Sequence, residues 1–217
     1  EDNPIVLSDL FCRIGGKENA HTEVDYAVII NANDVIGDNF WLWRADHSNG
    51  VAWDDYEDEN GRISYGNPAK TGLLVEGDHV SCYGLMVEHF EEYQTLWKGE
   101  YGKVVMYQCE VPYNVPSQEA WRSEAGTRDG YAAYKVSEGV KHHYGLGLGV
   151  YWVHYSHDFL ENAFECPDEE GVKLEHMVST TFSSYSNGGI RHVVNGLGGT
   201  AGEGGQFRCL MESYPMG

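Results

Sequence analysis

The chain has 217 residues, with 34 Asp and Glu against 14 Lys and Arg, a formal charge of −20. A polyanion is repelled by nucleic acid and by anionic lipid, which excludes both as partners. No apolar run approaches the roughly 20 residues of a membrane span, so membrane insertion is excluded as well.

In chain order, residues 1–16 (EDNPIVLSDLFCRIGG) read as a strand-bearing coil already under way. An apolar run, a polar corner, a Val and a second apolar run then recur at residues 27–43 (AVIINANDVIGDNFWLW), 72–88, 95–110, 132–150 (AAYKVSEGVKHHYGLGLGV) and 163–182 (AFECPDEEGVKLEHMVSTTF). Repeats of roughly 20 to 25 residues indicate a solenoid, propeller or array. The runs are short, rich in Val, Ile, Tyr and Trp, and bounded by Gly, Asn and Asp; none sustains a helical period. With 27 Gly, 15 Tyr and 6 Trp, this predicts an all-β chain built as a right-handed parallel β-helix; a β-sandwich or propeller is the alternative. Residues 1–217 are expected to form a single β-helix domain. Because an open first coil would expose strand edges, the domain is expected to be the C-terminal or middle part of a longer polypeptide, with a preceding β-helix or self-association covering it.

The most informative stretch, residues 72–113 (GLLVEGDHVSCYGLMVEHFEEYQTLWKGEYGKVVMYQCEVPY), ends successive apolar runs on Glu88 and Glu110. Stacked coils place equivalent residues about 4.8 Å apart, so the two carboxylates are expected at nearly the same edge. Exposed Trp and Tyr suit stacking on pyranose rings, and Trp41, Trp43, Trp53 and Trp97 are the candidates, with core packing the competing role.

Other clusters read as structural. The acidic loop WDDYEDENGR (residues 53–62) lacks a Ca²⁺-loop pattern and reads as solvated. His142, His143, His154 and His157 bracket a Gly-rich strand without metal-ligand spacing. Gly145, Gly147 and Gly149 read as a strand pressed against another backbone. The five cysteines show no CxxC pair; one or two disulfides and buried core thiols are both compatible with their spacing. No metal and no cofactor is implied.

WLWRADH (residues 41–47), GLLVEGDHVSCYGLMVEHFEEYQ (residues 72–94) and YQCEVPY (residues 107–113) resemble, in order and spacing, the second β-helix of glycoside hydrolase family 55, the β-1,3-glucanases. They also resemble uncharacterised secreted β-helix proteins. The resemblance covers roughly residues 9 to 200 and implies a pectin-lyase-like solenoid, with a cleft formed between two β-helices. It further implies a secreted, extracellular enzyme cleaving β-glucan with inversion. The general acid falls on Glu88, with Tyr93 and Gln94 lining the site, and the base on Asp46 or Glu110. His47, His89, Trp43, Trp97 and Tyr113 are the further substrate-binding candidates. Like-charge coupling to Glu91, Glu92 and Glu110 is the expected device for keeping Glu88 protonated. The competing expectation is a non-catalytic extracellular β-helix, binding glycan or serving as the subunit of a surface or filamentous assembly.

Overall fold

The computed structural model describes residues 3–15, 22–46, 56–57, 63–64, 66–113, 115–153, 157–182, 188–202, 204 and 206–216. The first strand is β1 (Ile5–Ile14), and the next coil carries β2 (Val24–Ile30) and β3 (Val35–Arg44), with a ribbon β4 (Tyr56–Glu57) and β5 (Ile63–Ser64) in its loop. Then come β6 (Ala69–Val75) and β7 (Ser81–Glu88), followed by β8 (Thr95–Trp97) and β9 (Gly102–Glu110). A second ribbon, β10 (Arg122–Ser123) and β11 (Arg128–Asp129), leads to β12 (Tyr134–Val136) and β13 (His143–Trp152). β14 (Phe159–Glu165), β15 (Val172–Thr181), β16 (Gly189–Val194) and β17 (Arg208–Tyr214) finish the chain.

Two stacks result. One orders β1-β3-β7-β9-β13-β15-β17, the other β16-β14-β12-β8-β6-β2. Within both, all pairings are parallel except that of β17, which runs antiparallel to β15. A reversed strand thus covers the last parallel edge of the first stack. Each of the five sequence copies is one turn of a parallel β-helix, a strand of the second stack followed by one of the first. The expected 20 to 25 residue period holds for a single step. Ser81 pairs with Lys103, 22 residues on, but Ile36 pairs with Ser81, 45 residues on, and Gly102 with His143, 41 residues on. Long loops inserted between strands account for the difference.

Every parallel strand of the first stack turns at one left-handed residue in the same row: Asp9 (φ 54), Asn39 (φ 57), Gly84 (φ 68), Met106 (φ 64), Gly147 (φ 69) and His176 (φ 53). The pairing resumes on both sides of this row. The Asn39 amide donates to Asp9 Oδ1 at 2.7 Å, joining two rungs. One residue in this conformation shifts the phase of in-and-out alternation. In β3 the buried positions accordingly run Val35, Gly37, then Phe40, Leu42 and Arg44. Inside, Leu10, Phe40, Leu85, Tyr107, Leu148 and Met177 stack in register, and all but the partly buried Leu10 are at most 2 % exposed.

Glycine is obligatory at two places in the short turns. A Cβ on Gly77 would lie 1.9 Å from the Ala32 carbonyl oxygen, and one on Gly99 would lie 1.8 Å from that of Gly77. Gly145, Gly147 and Gly149 do not press on another backbone. A Cβ on Gly145 would meet the Leu174 and Leu148 side chains, Gly147 takes the left-handed place in the bend, and Gly149 lies beneath Tyr151.

All five cysteines are free thiols. Burial pushes Cys82 and Cys166 up to about 12, holding both as inert thiols. Trp53, His154 and the acidic loop around Asp54, apart from the backbone of its two ribbon residues, lie outside the described residues. His142 faces Glu100 and Tyr101 at the surface, whereas His143 is buried against Tyr134, so the two do not converge.

Candidate active site

The carboxylates gather where the first stack ends. Glu88 pairs in register with Trp43, and the His89 N–H donates to the Glu110 carbonyl at 2.9 Å, which sets Glu88 and Glu110 side by side on neighbouring strands. Val87 and Cys109, the residues before them, point into the core, so by strand alternation both Glu side chains face outward.

Glu88 belongs to an aromatic group. The indole N–H of Trp41 donates to Glu88 Oε2 at 2.9 Å. Trp41 is 42 % exposed and stacks with Trp43 at 6.3 Å between ring centroids, and Phe11 meets its edge at 6.5 Å. The Arg13 guanidinium lies 4.6 Å over the Trp43 ring. Trp41 and Trp43 share one face because they stand two apart on a strand.

Glu110 belongs to a proton-bearing group. The Tyr113 hydroxyl donates to Glu110 Oε2, and His89 Nε2 lies 3.8 Å from the same oxygen. The other nitrogen of this buried ring, Nδ1, is 3.3 Å from Oδ2 of the buried Asp46. Asp46 Oδ2 also accepts the Tyr113 N–H at 3.0 Å. This Asp therefore ties down a residue 67 positions away, and does not merely cap its own turn. Burial raises the Tyr113 hydroxyl far above its ordinary range; its bond to Glu110 and the charges of Glu110, Asp46 and Glu88 add to this.

A buried guanidinium holds the loop that supplies His89. Arg44 donates to the carbonyls of Asn67 (3.1 Å), His89 (3.3 Å) and Gly66 (2.7 Å), and its Nη2 lies 3.4 Å from Glu91 Oε1. An Arg after an outward Trp carries no sequence signal for this role, because its acceptors are main-chain atoms of distant segments.

Several sequence-predicted residues stand elsewhere. Trp97 is fully buried among Tyr134 and His143, so it is a core residue and offers no surface to a sugar. Gln94 is buried as well; its amide closes the turn on the Phe90 N–H (2.8 Å) and carbonyl (2.7 Å). Tyr93 turns to Lys135 and Tyr131 over the second stack. Glu91 faces Arg44 and the Ala69 N–H, and Glu92 is set among Lys70 and Asp25, so neither is the expected neighbour of Glu88. His47 lies outside the described residues. Asp46, Glu88, His89, Glu110, Tyr113 and Trp43 do assemble, and Trp41, Phe11 and Arg13 join them.

Comparison with known proteins bears on this arrangement. An exo-beta-1,3-glucanase of Streptomyces sp. (strain SirexAA-E / ActE) is 38 % identical over 198 residues, which are 90 % of this chain and 30 % of that protein. The structure of sacteLam55A from Streptomyces sp. SirexAA-E matches with a TM-score of 0.83 at 35 % identity, over 98 % of this chain and 36 % of that one. A glutamate variant of sacteLam55A in complex with glucose matches with a TM-score of 0.84 at 34 % identity. The chain thus spans about a third of the length of these relatives. The family model for the LAM55 pectate lyase-like domain matches residues 1–110, and the chain belongs to that glycoside hydrolase family 55-like group of β-helix domains.

Proposed function

We propose that this β-helix supplies the catalytic carboxylates of a secreted glycoside hydrolase that cleaves β-1,3-glucan with inversion. The exo-beta-1,3-glucanase at 38 % identity supports the substrate class. The observation that carries the assignment of roles is the asymmetry of the two carboxylates. Glu110 touches two groups with exchangeable protons, the Tyr113 hydroxyl and the His89 imidazole backed by Asp46. Glu88 is held by an indole N–H, which can donate a hydrogen bond but not relay a proton. This favours Glu110 as the general acid and Glu88 as the base, the reverse of the role that the resemblance lends to Glu88. Asp46 is then the group that orients His89.

In the reaction so read, Glu110 gives its proton to the glycosidic oxygen as the bond to the anomeric carbon breaks. Glu88 takes a proton from the water that attacks the opposite face, and the product anomer is inverted. An inverting pair needs carboxyls about 6.5 to 9.5 Å apart, more than the strand spacing of about 4.8 Å. The two heads have opposed anchors: Trp41, on the preceding strand, for Glu88, and Tyr113, beyond the strand end, for Glu110.

Laminarin hydrolysis followed by NMR of the product anomer tests this reading, with Glu110→Gln and Glu88→Gln alongside. Both variants are expected to lose turnover. Only Glu110→Gln should keep activity on 2,4-dinitrophenyl β-glucoside, whose leaving group needs no proton, and only Glu88→Gln should recover with azide. The opposite pattern would return the acid role to Glu88. An inactive wild type that still retains glucan would mean a binding module.

A further inference from the structure

Past Glu110 the outer row of the first stack continues into a second aromatic surface. Tyr151 is the register partner of Glu110, and its neighbours Val150 and Trp152 are fully buried, which leaves its ring on the outer face. The ring leans back along its own strand. A Cβ on Gly149 would lie 2.7 Å from the Tyr151 hydroxyl and 3.1 Å from Cζ, so this glycine is the seat on which the ring rests. Phe182, just past β15, stacks on Tyr151 at 5.6 Å and 20° and is 60 % exposed. Gly149 is in register with Gln108, so the pad abuts the strand that carries Glu110.

We propose that Tyr151 and Phe182 form a second β-glucan subsite, on the far side of the Glu88 and Glu110 pair from Trp41 and Trp43. The inference rests on the glucanase reading above. Trp43, Glu88, Glu110 and Tyr151 occupy successive rungs of one outward row. Three rungs span about 14 Å at the usual strand spacing, long enough to hold a scissile linkage with sugar rings resting on an aromatic pad at each end. The equatorial hydroxyls of β-glucose leave both ring faces apolar, the surface an exposed aromatic pair recognises.

The test compares steady-state hydrolysis of laminaribiose, laminaritriose and laminarihexaose by wild type, Tyr151→Ala, Tyr151→Phe and Gly149→Ala, with folding checked by circular dichroism. Tyr151→Ala should raise KM for the hexaose about tenfold, the loss of one stacking contact, with a smaller penalty on the shorter chains. Tyr151→Phe should restore most of that loss, and Gly149→Ala, which tilts the ring without removing it, should fall between. An equal penalty at every length, or none, overturns the subsite. A wild type that cleaves no β-glucan sinks the glucanase reading instead. In that case calorimetry with laminarihexaose decides the subsite alone: weaker binding by Tyr151→Ala supports it, and unchanged or absent binding overturns it.

Discussion

His89 stands between Asp46 and Glu110, its Nδ1 3.3 Å from one carboxylate and its Nε2 3.8 Å from the other. A buried Asp on the far side of an imidazole fixes the ring's orientation and tautomer for whatever its near side contacts.

Asp46→Asn keeps an acceptor for the Tyr113 N–H but removes the charge that orients His89. Turnover of laminarin is expected to fall about a hundredfold, with the melting temperature nearly unchanged. A variant as active as wild type would remove His89 and Asp46 from the proton path.

Arg44 is a stability residue. Its guanidinium serves three main-chain carbonyls and one carboxylate while fully buried. Arg44→Met strands those acceptors and should cost about 3 to 5 kcal/mol in urea unfolding. Arg44→Lys should not rescue it, because a point charge cannot reproduce the planar fork of donors.

Gly99→Ala tests the stacked turns. With its Cβ placed 1.8 Å from the Gly77 carbonyl oxygen, a main-chain atom, the turn has to open. A loss of about 2 to 4 kcal/mol is expected. Gly139→Ala, where nothing lies within 4 Å, is the control and should stay near wild type.

His143 gives a pH signature. Burial lowers it to about 3, and its Nε2 lies 2.8 Å from the Tyr134 hydroxyl in the core. The unfolded chain, with an ordinary value near 6.5, binds the proton more readily than the folded one. This contribution is therefore complete above about pH 6.5 and declines by about 1 kcal/mol per pH unit as pH falls towards 3. Urea melts of wild type and His143→Gln should differ by a constant above pH 7 and converge between pH 6 and 4. Parallel curves over that range would refute a neutral buried imidazole.

The repeat was legible in the sequence because each copy is one coil, and the acidic ends of β7 and β9 were legible as neighbours. The orientation of tryptophans was not. Whether Trp41 or Trp97 faces solvent depends on strand phase, and in the first stack the left-handed residue resets that phase in the middle of each strand. Gly84 and Gly147 mark such a place outright, and Asn39, Asp9 and His176 are types that tolerate it, but each also occurs at ordinary strand positions, and Met106 gives no sign at all. Tyr93 and Gln94 were placed beside Glu88 by the family resemblance. The loop carries them around a corner to the second stack, where Gln94 closes a turn and Tyr93 meets Lys135. Tyr151 was missed because its partner Glu110 is 41 residues earlier, across an insertion.

The unequal corners of the coil have a consequence for how such a protein can change. Connections from the second stack to the parallel strands of the first take four to six residues, sealed where Gly77 and Gly99 stack backbone on backbone; only the step to the reversed β17 is longer. Connections in the other direction range from six to 24 residues and leave beside the outward carboxylates. Among the parallel coils, one flank of the solenoid is therefore kept short, while the other absorbs extra chain freely. Sequence change can accumulate along that permissive flank, rung by rung, without disturbing the wall that carries Glu88 and Glu110.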